Sequence, residues 1–221
     1  MIKIAPSTNP EDEEVLVDYV KLLQNAGAYF IHCDVMDGKF VQNRCLSAEK
    51  LMEVSQNSSI ALDVHLMVAN PIQVWESYYK ANPTILTVHY ESFSNPSNLV
   101  YLLNEIRKRK IMVGLSIKPA TKIKEIEQYL PLVDLVLIMS VEPGKSGQEF
   151  IDESLNKITE LKNVITAREY NIKIEVDGGI TAKNVQHVYK AGADIVVMGS
   201  AVYKAENKSE FISSIKNKCN K

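Results

Sequence analysis

The chain has 221 residues, 25 basic and 27 acidic side chains for a formal net charge of −2, and 46% hydrophobic residues. This composition excludes the disordered and fibrous classes, and a near-neutral chain with no Lys/Arg cluster lacks the charge that a phosphate backbone demands, so nucleic acid is not an expected partner. With no apolar stretch suited to a signal peptide or a membrane span, and with Cys33, Cys45 and Cys219 fitting no zinc spacing, the expectation is a cytoplasmic protein with reduced thiols and no membrane partner.

Short apolar, β-branched runs alternate with segments of helical period from one end of the chain to the other. Strands are expected at 2–6, 28–34, 61–67, 84–89, 111–115, 132–139, 172–176 and 194–198. Helices are expected between and after them, at 11–25, 47–56, 72–80, 96–110, 121–129, 151–170, 182–190 and 208–218. Asn9-Pro10, Asn70-Pro71 and Asn95-Pro96 pair a capping candidate with a proline suited to a first helical turn, and Gly27 and Gly192 stand where helices stop. Eight βα units predict a single (β/α)8 TIM barrel over 1–221. A doubly wound open sheet would need a glycine-rich fingerprint after the first strand, and Ser7-Thr8-Asn9 offers none.

In such a barrel the reacting groups come from the C-terminal strand ends. The strand period of two turns His32, Asp34 and Met36 inward on the second strand and Asp63, His65 and Met67 inward on the third. Buried charges are costly unless paired or bound to metal. His32, Asp34, His65 and Asp177 at the end of the seventh strand are therefore expected to hold one divalent metal ion, zinc first, with iron, manganese or cobalt as alternatives. His187 falls in a helix, and His89 before Glu91 reads as a structural pair at the mouth.

Three glycine segments at strand ends, Gly144-Lys145-Ser146-Gly147, Gly178-Gly179 and Gly199-Ser200, each placed before a helix, offer backbone amides for a phosphate. A β-carbon at Gly147 is expected to block that approach. The first segment is not a Walker motif, because Met139 stands where the required glycine would be. Met36, Met67 and Met139 serve either as core filler or as a soft apolar lid over the reacting oxygens.

Taken together, these residues resemble the ribulose-phosphate 3-epimerase family. The resemblance runs from Ile4-Ala5-Pro6-Ser7 through Asp34-Val35-Met36-Asp37-Gly38, Asp63-Val64-His65-Leu66-Met67-Val68, Val141-Glu142-Pro143-Gly144, Gly147-Gln148-Glu149-Phe150 and Val176-Asp177-Gly178-Gly179-Ile180 to Gly199-Ser200-Ala201. It implies a metal-dependent barrel that interconverts D-ribulose 5-phosphate and D-xylulose 5-phosphate, with His32, Asp34, His65 and Asp177 as ligands and Asp34 and Asp177 as the acid/base pair. Substrate contacts implied are Ser7, His65, Gly144 to Gly147, Asp177 to Gly179, and Gly199-Ser200. The chain departs from the family pattern at Thr8-Asn9, usually Ile-Leu, at Gln42, usually proline, and at Lys145-Ser146, usually Phe-Gly. All three lie in loops around the substrate, which keeps two alternatives open: a D-allulose-6-phosphate 3-epimerase, and an inactive phosphosugar-binding barrel. The orotidine-phosphate group is a poorer match, since its Asp-x-Lys-x-x-Asp pattern is replaced here by His-x-Asp and Asp-x-His. Assembly, including a homo-oligomer, is left open by the sequence.

Overall fold

The computed structural model describes residues 1–9 and 11–219. Its first half runs β1 (Lys3–Pro6), α1 (Leu16–Asn25), β2 (Ile31–Asp37), β3 (Arg44–Cys45), α2 (Ala48–Asn57), β4 (Leu62–Met67), α3 (Pro71–Tyr79), β5 (Ile85–His89) and α4 (Pro96–Lys108). The second half runs β6 (Met112–Ile117), α5 (Ile123–Ile126), β7 (Leu135–Met139), α6 (Ser154–Ala167), β8 (Lys173–Asp177), α7 (Val185–Ala191), β9 (Ile195–Met198), α8 (Ser200–Tyr203) and α9 (Lys208–Cys219).

One sheet joins all the strands in the order β1-β9-β8-β7-β6-β5-β4-β2-β3. Every pairing is parallel except that of β3, which folds back on the end of β2 through Met36↔Cys45 and Asp37↔Arg44. The sheet closes between β1 and β2, where Ser7 bridges His32, the Thr8 N–H donates to the His32 carbonyl at 2.9 Å and the Tyr29 N–H donates to the Ile4 carbonyl at 2.9 Å. The eight parallel strands thus form a (β/α)8 barrel.

The sequence dictates this arrangement through burial. Parallel strands are covered on both faces and read as continuous apolar runs, as in Leu135-Val136-Leu137-Ile138-Met139 of β7, which is buried throughout. Outward residues such as Ile4, Val64, Leu86 and Val136 pack against the helices, while Ala5, Phe30, Ile85, Leu135, Ile195 and Val197 form a separate inner cluster. Above this apolar filling, inward polar residues run along β2 and β4 from His32 and Asp63 onward.

Several boundaries differ from the sequence expectations. The helix expected at 121–129 is only the four residues of α5, followed by a 3-10 turn over Glu127–Leu132 that contains Pro131; proline cannot donate a helical hydrogen bond, and β7 starts late, at Leu135. The helices expected from 11, 151 and 182 begin at Leu16, Ser154 and Val185. The Asn95 side chain accepts the Ser97 N–H at 2.9 Å as a cap should, whereas Asn70 makes no such bond, and Pro10 lies outside the described residues. Gly27 and Gly192 take φ of +85° and +125° at helix ends. Among the described residues no helix is long and apolar enough to cross a membrane, and the three cysteines are free.

Candidate metal centre and active site

Register sets the depth of each inward side chain. On β2 and β4 the partners are His32↔Asp63, Asp34↔His65 and Met36↔Met67, so three layers rise toward the C-terminal end of the barrel. His32, Asp63 and His65 are fully buried, and Asp34 is 3% exposed. Asp34 Oδ1 lies 3.5 Å from His32 Nε2 and 3.4 Å from His65 Nδ1, and the two nitrogens are 3.3 Å apart. Asp177 joins them from β8, so that one ligand atom from each of the four residues lies within 4.8 Å of all the others. Two imidazoles and two carboxylates converging in a buried layer fit a divalent transition metal, for which this donor set is well suited.

Each member is held from behind. His32 Nδ1 is 2.6 Å from Asp63 Oδ2, the bond that orients a metal-binding imidazole. Ser7 donates to Asp34 Oδ2 at 2.5 Å, and the Asp34 N–H donates to Thr8 Oγ1 at 3.3 Å. His65 Nε2 lies 2.8 Å from His89 Nε2, and His89 Nδ1 lies 3.1 Å from Glu91 Oε2. His89 and Glu91 are therefore joined to the cluster, where the sequence suggested a separate pair. Ser140 donates to the Asp177 and Gly178 carbonyls at 2.9 and 2.7 Å and fixes the turn after β8.

The charges are unevenly distributed. Burial opposes charge on His32, but Asp63 and Asp34 outweigh it and raise the imidazole's pKa. Burial likewise opposes charge on Asp34, and His32 overcomes it, holding that carboxyl well below the usual range. Asp177 goes the other way: burial, and then the charge of Asp34, push it up to about 7. Burial lowers His65, and lowers His89 to about 4 in spite of Glu91. Glu175, fully buried beneath Asp177 with both carboxylate oxygens unpartnered, is raised by burial and then by Asp63. Without an ion, Asp34 is ionised at neutral pH, whereas Asp177 holds its proton far more readily.

Above the cluster opens a cavity of about 490 Å³. Its walls bring together every expected substrate-contact residue except His65, which lies buried beneath: Ser7, Met36, Met67, Met139, Gly144, Lys145, Ser146, Gly147, Gly178, Gly179, Gly199 and Ser200, with Asn9, Asp34, Asp177, Lys183 and Asn184. Met36 and Met67 cluster with Val41, and Met139 with the inner apolar cluster, giving the cavity apolar walls beside its carboxylates.

The glycine segments are more irregular than expected. Only Gly199 adjoins a helix, the short α8, because Gly178 and Gly179 take φ of +122° and +64°, which no helix admits, and Asn184 closes a turn by donating to the Gly179 carbonyl at 2.9 Å and accepting the Thr181 N–H at 2.8 Å. The 144–147 segment belongs to a loop tied by Gln148, whose amide donates to the Glu142 and Lys145 carbonyls at 2.7 and 2.8 Å, and by Asn43, which donates to the Gly144 carbonyl at 2.7 Å. A β-carbon at Gly147 would meet no protein atom within 4 Å, so within the protein it is the φ of +77° that calls for glycine there; at Gly178 and Gly179 a β-carbon would come within 2.5 Å of Val141 and 2.4 Å of Phe150. Sequence reasoning placed Asp63 inward without giving it a partner, and gave Glu175, Ser140 and Asn184 no role. The inward period two residues before Asp177 was the one available signal for Glu175.

Residues 3–203 match the model of the ribulose-phosphate 3 epimerase family. A ribulose-phosphate 3-epimerase from Synechocystis sp. is 39% identical over 98% of this chain and 94% of its own length, and one from Bacillus subtilis is 36% identical over 98% and 99%. Among solved structures, a 3-hexulose-6-phosphate synthase superposes with a TM-score of 0.65 over 98% of each chain at 16% identity, which is a likeness of fold.

Proposed function

The chain belongs to the ribulose-phosphate 3-epimerase family and is an isomerase of that kind, and we propose that it interconverts D-ribulose 5-phosphate and D-xylulose 5-phosphate with Asp34 and Asp177 as its acid/base pair. One observation carries the assignment of residues: two carboxyl groups from different strands, Asp34 on β2 and Asp177 on β8, end in one cavity beside His32 and His65. Epimerisation at carbon 3 requires a proton taken from one face of the sugar and another delivered to the opposite face. Asp34, with Oδ2 held by Ser7, is the base in one direction and Asp177 is the acid; the roles exchange in reverse. His32, Asp34, His65 and Asp177 would hold a divalent ion, zinc first among zinc, iron, manganese and cobalt, which would supply positive charge to stabilise the negative charge that develops.

The remaining lining serves binding. Met36, Met67 and Met139 exclude water from the reacting carbon. Backbone amides of Gly147, Gly178, Gly179, Gly199 and Ser200 receive the phosphate, with Lys145 and Ser146 at the rim. On this reading 1–221 works as one barrel unit, because a single sheet supplies His32, Asp34, His65 and Asp177, and the cytoplasm, where its thiols stay reduced, is the compartment we propose.

The test is hydrogen exchange at carbon 3 in deuterated water, run on D-ribulose 5-phosphate, D-xylulose 5-phosphate and D-allulose 6-phosphate with purified protein. Faster exchange of the two pentose phosphates is expected. Preference for the hexose phosphate would reassign the substrate, with Asn9 in the cavity wall as the first residue to examine, and no exchange with any sugar would mean a binding barrel without turnover.

A further inference from the structure

The chain of groups behind His65 has a direction, legible from its outer end. Glu91 Oε1 receives the Lys118 backbone N–H at 2.7 Å and the Thr121 hydroxyl at 2.5 Å. The backbone N–H can only donate, and a carboxylate so held can only accept. Its other oxygen, Oε2, faces His89 Nδ1 at 3.1 Å, which places the His89 proton on Nδ1. A neutral imidazole protonated there has a lone pair at Nε2. That atom lies 2.8 Å from His65 Nε2, so His65 must donate across this contact. His65 is then left with a bare lone pair on Nδ1, the atom that faces His32 Nε2 at 3.3 Å and Asp34 Oδ1 at 3.4 Å.

We propose that His89 and Glu91 are positioning residues for metal binding: anchored by Lys118 and Thr121 beyond β6, they set the His65 tautomer before an ion arrives, so that Nδ1 is already open to it. This rests on the metal reading above. The relay is shielded from water that could scramble it, because His65 and His89 are fully buried and the Phe40 ring lies over His89 with centroids 4.7 Å apart. If these contacts only pinned β5 to the segment after β6, either tautomer would serve.

Glu91→Gln separates the two ideas. With its carbonyl oxygen retained by Lys118 and Thr121, the new amide group must turn toward His89 and donate to it. Every donor in the relay then reverses, and the His65 proton moves to Nδ1. Nitrogen-15 shifts of the imidazoles in metal-free protein report the tautomer directly, and competition with a chromogenic chelator gives the zinc affinity. The wild type should carry the His65 proton on Nε2 and the variant on Nδ1, with zinc binding weakened roughly 10- to 100-fold, the usual effect of losing such a partner. A metal-free wild type protonated on His65 Nδ1, or a Glu91→Gln protein that binds zinc as tightly as the wild type, would overturn the proposal. If the variant does not fold, the wild-type spectrum alone decides. A wild type with the expected tautomer that binds no zinc would refute the metal reading while leaving the relay standing.

Discussion

Replacing Gly179 by alanine tests whether the loops of the site are held by backbone contact. The new β-carbon would lie 2.4 Å from the Phe150 nitrogen, 2.7 Å from its Cα and 2.9 Å from the Gln148 carbonyl oxygen. All three are backbone atoms, so no change of rotamer relieves the overlap. The φ of +64° adds about 1–2 kcal/mol for any L side chain, and overpacking adds about 1–3 kcal/mol. The expected loss is therefore ~2–5 kcal/mol. Relief requires residues 148–150 to move, and Gln148 carries the 144–147 loop with it through its bonds to the Glu142 and Lys145 carbonyls. KM for the sugar phosphate should rise as well. Gly147→Ala is the control: its φ is +77° but its β-carbon meets nothing within 4 Å, which leaves only the backbone penalty of about 1–2 kcal/mol. Urea unfolding of both variants, followed by KM for Gly179→Ala, makes the comparison. Equal destabilisation of the two, or a Gly179→Ala protein within about 1 kcal/mol of wild type, would refute the reasoning.

Asp34→Asn and Asp177→Asn should each lower turnover by at least ~10²-fold, the low end for positioned acid/base groups; a near wild-type rate in either, with metal bound, would rule out the two-carboxylate mechanism. In the metal-free protein Asp177 contributes stability that is lost as pH rises from about 4 to about 7, because the folded group, with its pKa pushed up to about 7, keeps a proton that the unfolded chain has released. Asp177→Asn cannot titrate and should be more stable than wild type at pH 8 by on the order of 1–3 kcal/mol, after allowance for water in the cavity, as read by urea unfolding of chelated samples. Chelation should abolish activity reversibly while circular dichroism stays unchanged, with zinc, iron, manganese and cobalt restoring it to differing degrees; full activity in protein shown to be free of metal contradicts the assigned site. Lys145→Ala should raise KM less than about tenfold, ~1.4 kcal/mol, if backbone amides hold the phosphate. A larger rise with a weaker salt dependence would give that task to the lysine charge.

Much of the barrel was legible because buried parallel strands write themselves as apolar runs, and the four central residues were legible because charge on an inward face has no packing use. What period two could not reveal is depth. Asp34 and Asp63 both point inward, but register with the neighbouring strand puts Asp34 beside His65 among the ligands and Asp63 beside His32, where it holds that ring from behind. The same limit hid the link from His89 to His65, since a contact between residues 24 apart depends on how far two strands are staggered. β3 escaped notice because two residues carry no pattern. The helix expected at 121–129 gives way after Ile126 to a 3-10 turn that runs through Pro131, and the helices expected from 151 and 182 start later because the glycine loops before them are held by side-chain bonds that a period does not record.

The closure between β1 and β2 makes catalysis and integrity of the barrel depend on the same residues. Beyond the Ser7 and His32 bridge, that clasp is drawn shut by Ser7 on the Asp34 carboxylate and by Thr8 on the backbone of His32 and Asp34, residues whose side chains the chemistry uses. An ion seated on His32 and Asp34 would rivet the clasp from within. Slowed exchange of the Thr8 and Asp34 amides on loading would therefore report how tightly the protein closes around its own reaction, and a worn clasp would turn a fault in catalysis into a place where the wall of the barrel first comes apart.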